Sequence, residues 1–243
     1  MDCNWFENWF DTDYYHLLYR HRDDEEAHHF IDALLAHLNP QPGQKALDLA
    51  CGRGRHSVYL NSKHIDVTGV DLSKSSIAFA KKHENETLHF EVQDMRKSMG
   101  QNKYDYIFNL FTSFGYFENS DDDVLVLKNI YAALKPEGIF IFDFLNTNLV
   151  KNAQGTHTKL ILDGVEFEIT KEISQNNVIK HIHINDRGTQ VDFHEKVKLI
   201  EVDWFKQAFE KTGFTIQSIF GNYKLQPYNE KSERLIILAK KTN

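Results

Sequence analysis

Between Asp23 and Phe144 the apolar residues alternate between helical spacing and short unbroken runs. Ala27, Phe30, Ile31, Leu34, Leu35 and Leu38 form one stripe, which predicts a helix over Asp23 to Leu38 with its acidic start favoured by the helix dipole. Asn39-Pro40 ends it. Lys45 to Ala50 reads as a short buried strand, followed by a glycine-containing turn and a helix from about Arg55 to Asn61. Ile65 to Val70 is a second strand, and Ser73 caps a helix running to about His83. Leu88 to Val92 and Tyr104 to Leu110 are further strands. Asp121 to Leu134 is a helix entered through acidic residues and stopped by Lys135-Pro136-Glu137-Gly138. Gly138 to Phe144 is almost wholly apolar, the mark of a strand buried on both faces. Strands alternating with helices in this way pair in parallel through right-handed crossovers, giving a doubly wound α/β sheet.

After Asn146 the rhythm changes. Val165, Phe167 and Ile169 alternate with polar residues behind the hairpin signal Asp163-Gly164, and Val191, Phe193, Val197 and Leu199 repeat the period of two. With a strand near Val178 to Ile184, Lys159 to Glu201 predicts about four antiparallel strands. A helix over Asp203 to Lys211, a stop at Gly213 and strands near Thr215 to Tyr223 and Arg234 to Lys240 restore the earlier rhythm and close the sheet with a hairpin. The whole, residues 1–243, reads as one domain: an N-terminal segment (1–40), a core (41–146), a small antiparallel insert (155–201) and a return to the core (202–243).

Composition adds exclusions. No apolar run approaches the roughly 18 residues of a membrane span, so no membrane partner is expected. The acidic, aromatic start lacks the features of a signal peptide, and the two cysteines, Cys3 and Cys51, suggest no disulfide framework; a cytoplasmic protein is expected. Cys51 is read as a small residue filling a turn. A net charge of −7 without a long basic run disfavours a nucleic-acid partner.

The chemistry concentrates at strand ends. In Ala46-Leu47-Asp48-Leu49-Ala50-Cys51-Gly52-Arg53-Gly54-Arg55, a buried strand enters a turn where glycines let the backbone approach a ligand; a tight turn that merely needs glycine is the plainer reading. The second strand ends at Asp71, placed to accept both hydrogen bonds of a ribose diol. Asp94 follows the third strand, where it could accept from an adenine amino group, and the fourth runs into Asn109-Leu110-Phe111-Thr112. Open α/β sheets bind ligands at this edge.

In order and spacing these segments resemble the motifs of class I S-adenosylmethionine-dependent methyltransferases, over about Lys45 to Asn146 and again over Gly213 to Lys240. The resemblance implies a Rossmann-like fold, S-adenosylmethionine as cofactor and S-adenosylhomocysteine as product. It implies that Asp48, Ala50, Gly52 and Gly54 surround the methionine moiety, that Asp71 holds the ribose and that Leu72 lies against adenine. Asp94 and Met95 would flank the adenine and Asn109 would lie beneath the methionine end. A tyrosine-rich start folds over the cofactor in similar enzymes, which points to Tyr15 as a cofactor contact with His16 nearby; the alternative is aromatics packing a helix onto the core. A nicotinamide-dependent oxidoreductase is disfavoured, because G-x-G-x-x-G is absent and Asp48 would repel a pyrophosphate. A non-catalytic S-adenosylmethionine-binding protein is the remaining alternative.

The fourth motif lacks the Asn/Asp-Pro-Pro-aromatic segment of many amide and nucleobase methyltransferases, so the expected partner is a small-molecule methyl acceptor. By the same resemblance the insert roofs the acceptor pocket, with Gly221-Asn222-Tyr223 and Pro227-Tyr228 contributing to its wall. His16, Tyr116 and Tyr223 are candidates for handling the acceptor's proton. The insert contains His181, His183 and His194, and alternation puts the first two on one strand face, but no ligand spacing completes a metal site, and no metal is expected.

Overall fold

The computed structural model describes residues 5–20, 24–152 and 155–242, so Cys3 and Asp23 lie outside the described residues. Helices α1 (Trp5–Trp9), α2 (Asp13–Leu18) and α3 (Asp24–Leu38) precede the core elements β1 (Lys45–Leu49), α4 (Arg55–Ser62), β2 (Asp66–Asp71), α5 (Lys74–Ala80), β3 (Leu88–Val92), β4 (Tyr104–Asn109), α6 (Ser120–Ala133) and β5 (Leu134–Leu145). A short helix, α7 (Thr147–Asn152), leads into β6 (His157–Leu162), β7 (Val165–Ser174), β8 (Asn177–Asp186) and β9 (Thr189–Lys198). Helix α8 (Val202–Thr212) and strands β10 (Phe214–Phe220) and β11 (Arg234–Lys241) complete the chain.

The main sheet has the order β10-β11-β5-β4-β1-β2-β3, and β6 to β9 form a separate four-stranded sheet. Strands β1 to β5 are mutually parallel, while β11 runs antiparallel to both β5 and β10. The winding reverses between β1 and β4, the crevice where such sheets accept ligands. The strands alternate side chains between two apolar layers. On β5, Phe140, Phe142 and Phe144 pack with Phe205 and Phe209 of α8, whereas Ile141 faces Phe30, Ile31 and Leu34 of α3.

Two boundaries differ from expectation. Lys135-Pro136-Glu137-Gly138 does not precede β5 but lies within it: Leu134 pairs with Tyr104, the register shifts before Tyr106, and Glu137 adopts a φ of 67°. A bulge absorbs the proline and glycine that look like a helix stop. Strand β10 ends at Phe220 rather than Tyr223, because the Asn222 side chain accepts from the backbone amides of Lys224 and Gln226 and closes a turn.

Candidate active site

The turn after β1 is left-handed at Ala50 (φ 61°), Gly52 (57°) and Gly54 (83°). The amide of Gly52 donates to Asp71 Oδ2 at 2.8 Å, and the amide of Ser73 donates to Asp71 Oδ1 at 2.8 Å. The tips of β1 and β2 are thus tied through one carboxylate. Burial raises the Asp71 pKa, partly opposed by those amides. A Cβ on Gly52 would meet nothing within 4 Å, so this glycine borders open space. On Gly54 it would lie 2.6 Å from the Phe90 ring, so Gly54 serves packing of the turn against β3.

Asp48 is buried in β1 and accepts from Ser57 Oγ at 2.6 Å; burial pushes its pKa up to about 6. Asn109 ends β4 with its amide nitrogen donating to Leu49 O at 3.1 Å and Ser113 O at 3.3 Å, while its buried Oδ1 has no hydrogen-bond partner among the described residues. Burial works to raise the Asp94 pKa, but the Arg96 guanidinium, 2.6 Å away, outweighs it and holds the carboxyl below its ordinary value.

These groups border a cleft of about 1260 Å³. Tyr15, Asp48, Ala50 and Gly52 line it, as do Asp71, Leu72, Asp94 and Met95; Gly54 and Asn109 do not. His16, Tyr116 and Tyr223 line it as well. His16 is pushed down to about 4, by burial and then by the Arg53 charge, so its imidazole is neutral at pH 7. The Tyr116 hydroxyl donates to the carbonyl of Thr112. The Tyr223 phenol is raised above its ordinary pKa, by burial and by Asp143, and donates to Asp143 Oδ2 at 3.3 Å. Of the C-terminal wall expected from the sequence, Tyr223 alone borders the cleft, and the Tyr228 hydroxyl turns instead to Asn146 Oδ1.

Two clusters are not apparent from the sequence pattern. Asp143, fully buried in β5, accepts from Arg234 Nε at 2.8 Å and from the amide of Phe111 at 2.7 Å. Arg234 also donates to Thr112 Oγ1 at 2.8 Å. Together they hold Phe111 (φ 58°) and Thr112 (φ 65°) in a left-handed pair, a conformation costing about 1–3 kcal/mol per residue. A lone acid inside the run Ile-Phe-Asp-Phe was the available signal. The second cluster joins the chain's start to the insert. Glu195 of β9 accepts from Trp9 Nε1 at 2.9 Å, from the Tyr19 hydroxyl at 2.6 Å and from Lys180 Nζ at 2.7 Å. Trp9 also packs on Phe193, with ring centroids 4.8 Å apart.

The insert histidines pair separately. His181 Nε2 lies 3.3 Å from Glu172 and His183 Nδ1 2.7 Å from Asp192, while His194 packs near Trp5. Among the described residues no three His, Cys, Asp or Glu side chains gather to hold a metal, and no helix is long and apolar enough to cross a membrane.

Residues 40–213 match the family described as "Methyltransferase domain". The chain is 26% identical over 238 residues to the YqeM protein of Bacillus subtilis, covering 94% of each chain. It is 27% identical to dTDP-3-amino-3,4,6-trideoxy-alpha-D-glucopyranose N,N-dimethyltransferase of Streptomyces venezuelae, covering 87% of this chain and 91% of that one. Its fold matches the crystal structure of an S-adenosylmethionine-dependent methyltransferase from Clostridium acetobutylicum with a TM-score of 0.80, at 22% identity and covering 99% of both chains. The chain belongs to the class I S-adenosylmethionine-dependent methyltransferase family, and it is an enzyme of methyl transfer. Its residues suit an adenosyl ligand: open space at Gly52 and the Asp71 carboxylate at the cleft wall beside it.

Proposed function

We propose that the enzyme methylates a small-molecule acceptor, with S-adenosylmethionine lying along the β1, β2 and β3 tips and the acceptor between the N-terminal helices and the insert. The observation that carries this reading is one continuous cleft whose wall combines Asp48, Gly52, Asp71 and Met95 of the core with Lys171, Val178, Lys180 and Val197 of the insert. Its volume is above the usual range for a single small ligand, roughly 300–1,000 Å³. Residues of α1 and of the insert contribute to its wall, which favours a small acceptor over a polymer. The Streptomyces venezuelae relative, whose name states a nucleotide-linked amino sugar as substrate, supports the same class.

When bound, the cofactor supplies an electrophilic methyl group and departs as S-adenosylhomocysteine. The chain's own contribution is to orient both reactants and exclude water. Asp71 accepts from the ribose hydroxyls, while Leu72 and Met95 border the adenine and Asp94 accepts its amino group. Asp48 and the backbone of Ala50 and Gly52 border the methionine tail, and Asn109 supports that end from below the turn. Tyr15 closes the cofactor side as part of a lid formed by α1 and α2. His16, neutral at pH 7, accepts a hydrogen bond from the acceptor's N–H or O–H. Tyr116 and Tyr223 have their hydroxyl protons committed to protein acceptors and shape the wall.

Calorimetric titration with S-adenosylmethionine and S-adenosylhomocysteine tests the reading, with NADH as control and Asp71→Ala alongside. Both adenosyl ligands are expected to bind and NADH is not. The variant is expected to lose about hundredfold in affinity, the effect of two hydrogen bonds to a charged group. Release of S-adenosylhomocysteine across a panel of small amines and alcohols then identifies the acceptor. Failure of both adenosyl ligands to bind overturns the assignment.

A further inference from the structure

The insert turns three cross-strand rows to one face. Ile169, Ile182 and Phe193 form the first row, Lys171, Lys180 and Glu195 the second, and Ile173, Val178 and Val197 the third. The middle row is charged, lies between two apolar rows and contributes all three of its side chains to the cleft wall. Its charges do not balance. Glu195 already accepts from Lys180, Tyr19 and Trp9, whereas Lys171 has no side-chain hydrogen bond or ion pair among the described residues. Lys171 stands directly opposite another lysine and is half-buried, and both circumstances disfavour a cation. Burial and then the Lys180 charge accordingly lower its pKa, partly opposed by the Glu195 carboxylate. A structural lysine at this register would gain by turning to solvent; this one lines the cleft.

We infer that Lys171 receives an anionic group, a carboxylate or a phosphate, on the methyl acceptor, whose apolar part rests on Val178 and Val197. This rests on the methyl-transfer reading above, since it assigns the insert end of the cleft to the acceptor. An incoming anion supplies the negative charge that the row lacks, and the low-dielectric surroundings strengthen its bond to the ammonium. Neutral amines and alcohols of the same shape leave Lys171 unpaired and are discriminated against.

The test uses the full chain saturated with S-adenosylhomocysteine and follows tryptophan fluorescence. Phenylacetate is compared with phenylacetamide, and phenyl phosphate with phenol, so that the two pairs tell carboxylate from phosphate. The charged member of at least one pair is expected to bind about tenfold tighter than its neutral partner. Lys171→Gln is expected to abolish that preference and Lys171→Arg to keep it, with S-adenosylhomocysteine affinity unchanged within about twofold throughout. Lys171→Met replaces the glutamine variant should the latter not fold. Equal binding of charged and neutral probes, no binding of any probe, or a preference surviving Lys171→Gln overturns the inference. So does loss of S-adenosylhomocysteine binding in that variant, which would assign Lys171 to the cofactor. Should the parent chain itself not bind S-adenosylhomocysteine, the cofactor reading falls, and the same probe pairs without it still decide the role of Lys171.

Discussion

Arg234 reaches Asp143 across the antiparallel pair β11 and β5, its Nε 2.8 Å from Oδ1, while the other carboxylate oxygen holds the amide of Phe111. One buried ion pair therefore maintains the left-handed turn that follows β4. Removing one partner of such a pair strands a buried charge, at a cost of about 3–5 kcal/mol. Asp143→Asn and Arg234→Met are each expected to destabilise the enzyme by that order in urea denaturation. The double variant should lose less than the sum, because the partners share one interaction. Additive losses would show that the pair does not act as a unit.

Asp48 makes stability depend on pH. Its folded pKa of about 6 lies above the ordinary 3.8, so the folded state binds more protons between those values. The carboxyl's contribution is fully present below about pH 4 and is lost as pH rises through 6. Asp48→Asn keeps an oxygen for the Ser57 hydroxyl and removes the buried charge. Its melting temperature relative to the parent should rise from pH 4 to pH 6 and level off above 7. The plateau is expected a few degrees above the parent, at about 2–4 °C per kcal/mol for a chain of this size. A difference that stays constant with pH would refute the linkage.

The two glycines of the first turn should separate stability from binding. Gly54→Ala drives a Cβ to within 2.6 Å of the Phe90 ring at a φ of 83°, and a loss of about 2–4 kcal/mol is expected from overpacking and backbone strain together. Gly52→Ala meets no protein atom within 4 Å and carries only the left-handed strain, about 1–2 kcal/mol. It is nevertheless expected to weaken S-adenosylhomocysteine binding by tenfold or more, roughly 1.4 kcal/mol, because its methyl group enters the cleft. Melting curves and calorimetry on both variants check the pair of outcomes; equal affinity losses with equal stability losses would contradict it.

Glu195 fastens α1 and α2 to the insert. Glu195→Gln leaves Lys180 without its counter-ion and weakens the bonds from Trp9 and Tyr19. Amide hydrogen exchange should quicken within residues 5–20 and 177–198 and stay unchanged in β1 and β4. Faster exchange spread over the whole chain would mean global destabilisation rather than release of a latch.

Much of this architecture is legible in the sequence because its causes are local. The apolar runs of β1 to β5 and the Ser73 cap declare themselves within a few residues, as does the Asp163-Gly164 hairpin. So do the strand-end acids, since a carboxylate at the tip of a parallel strand needs no distant partner to be noticed. The limit comes with separation along the chain. Asp143 and Arg234 are 91 residues apart and Trp9 and Glu195 186 apart, and no periodicity encodes either meeting. Gly54 shows the converse: a motif position suggests a ligand, while the third dimension places the Phe90 ring behind it. Lys135 to Gly138 illustrates a further ambiguity, since proline and glycine mark a helix stop and a strand bulge alike.

The insert's three rows lie outside the sheet that carries Asp48 and Asp71, yet Lys171, Val178 and Val197 share one cleft wall with those two carboxylates. On the proposed reading, exchanges among Lys171, Val178 and Val197 redraw which molecule is admitted while the strand ends of the main sheet keep their geometry. Selection for a new acceptor would then have its own workbench, on strands other than those that end in the cofactor-side acids.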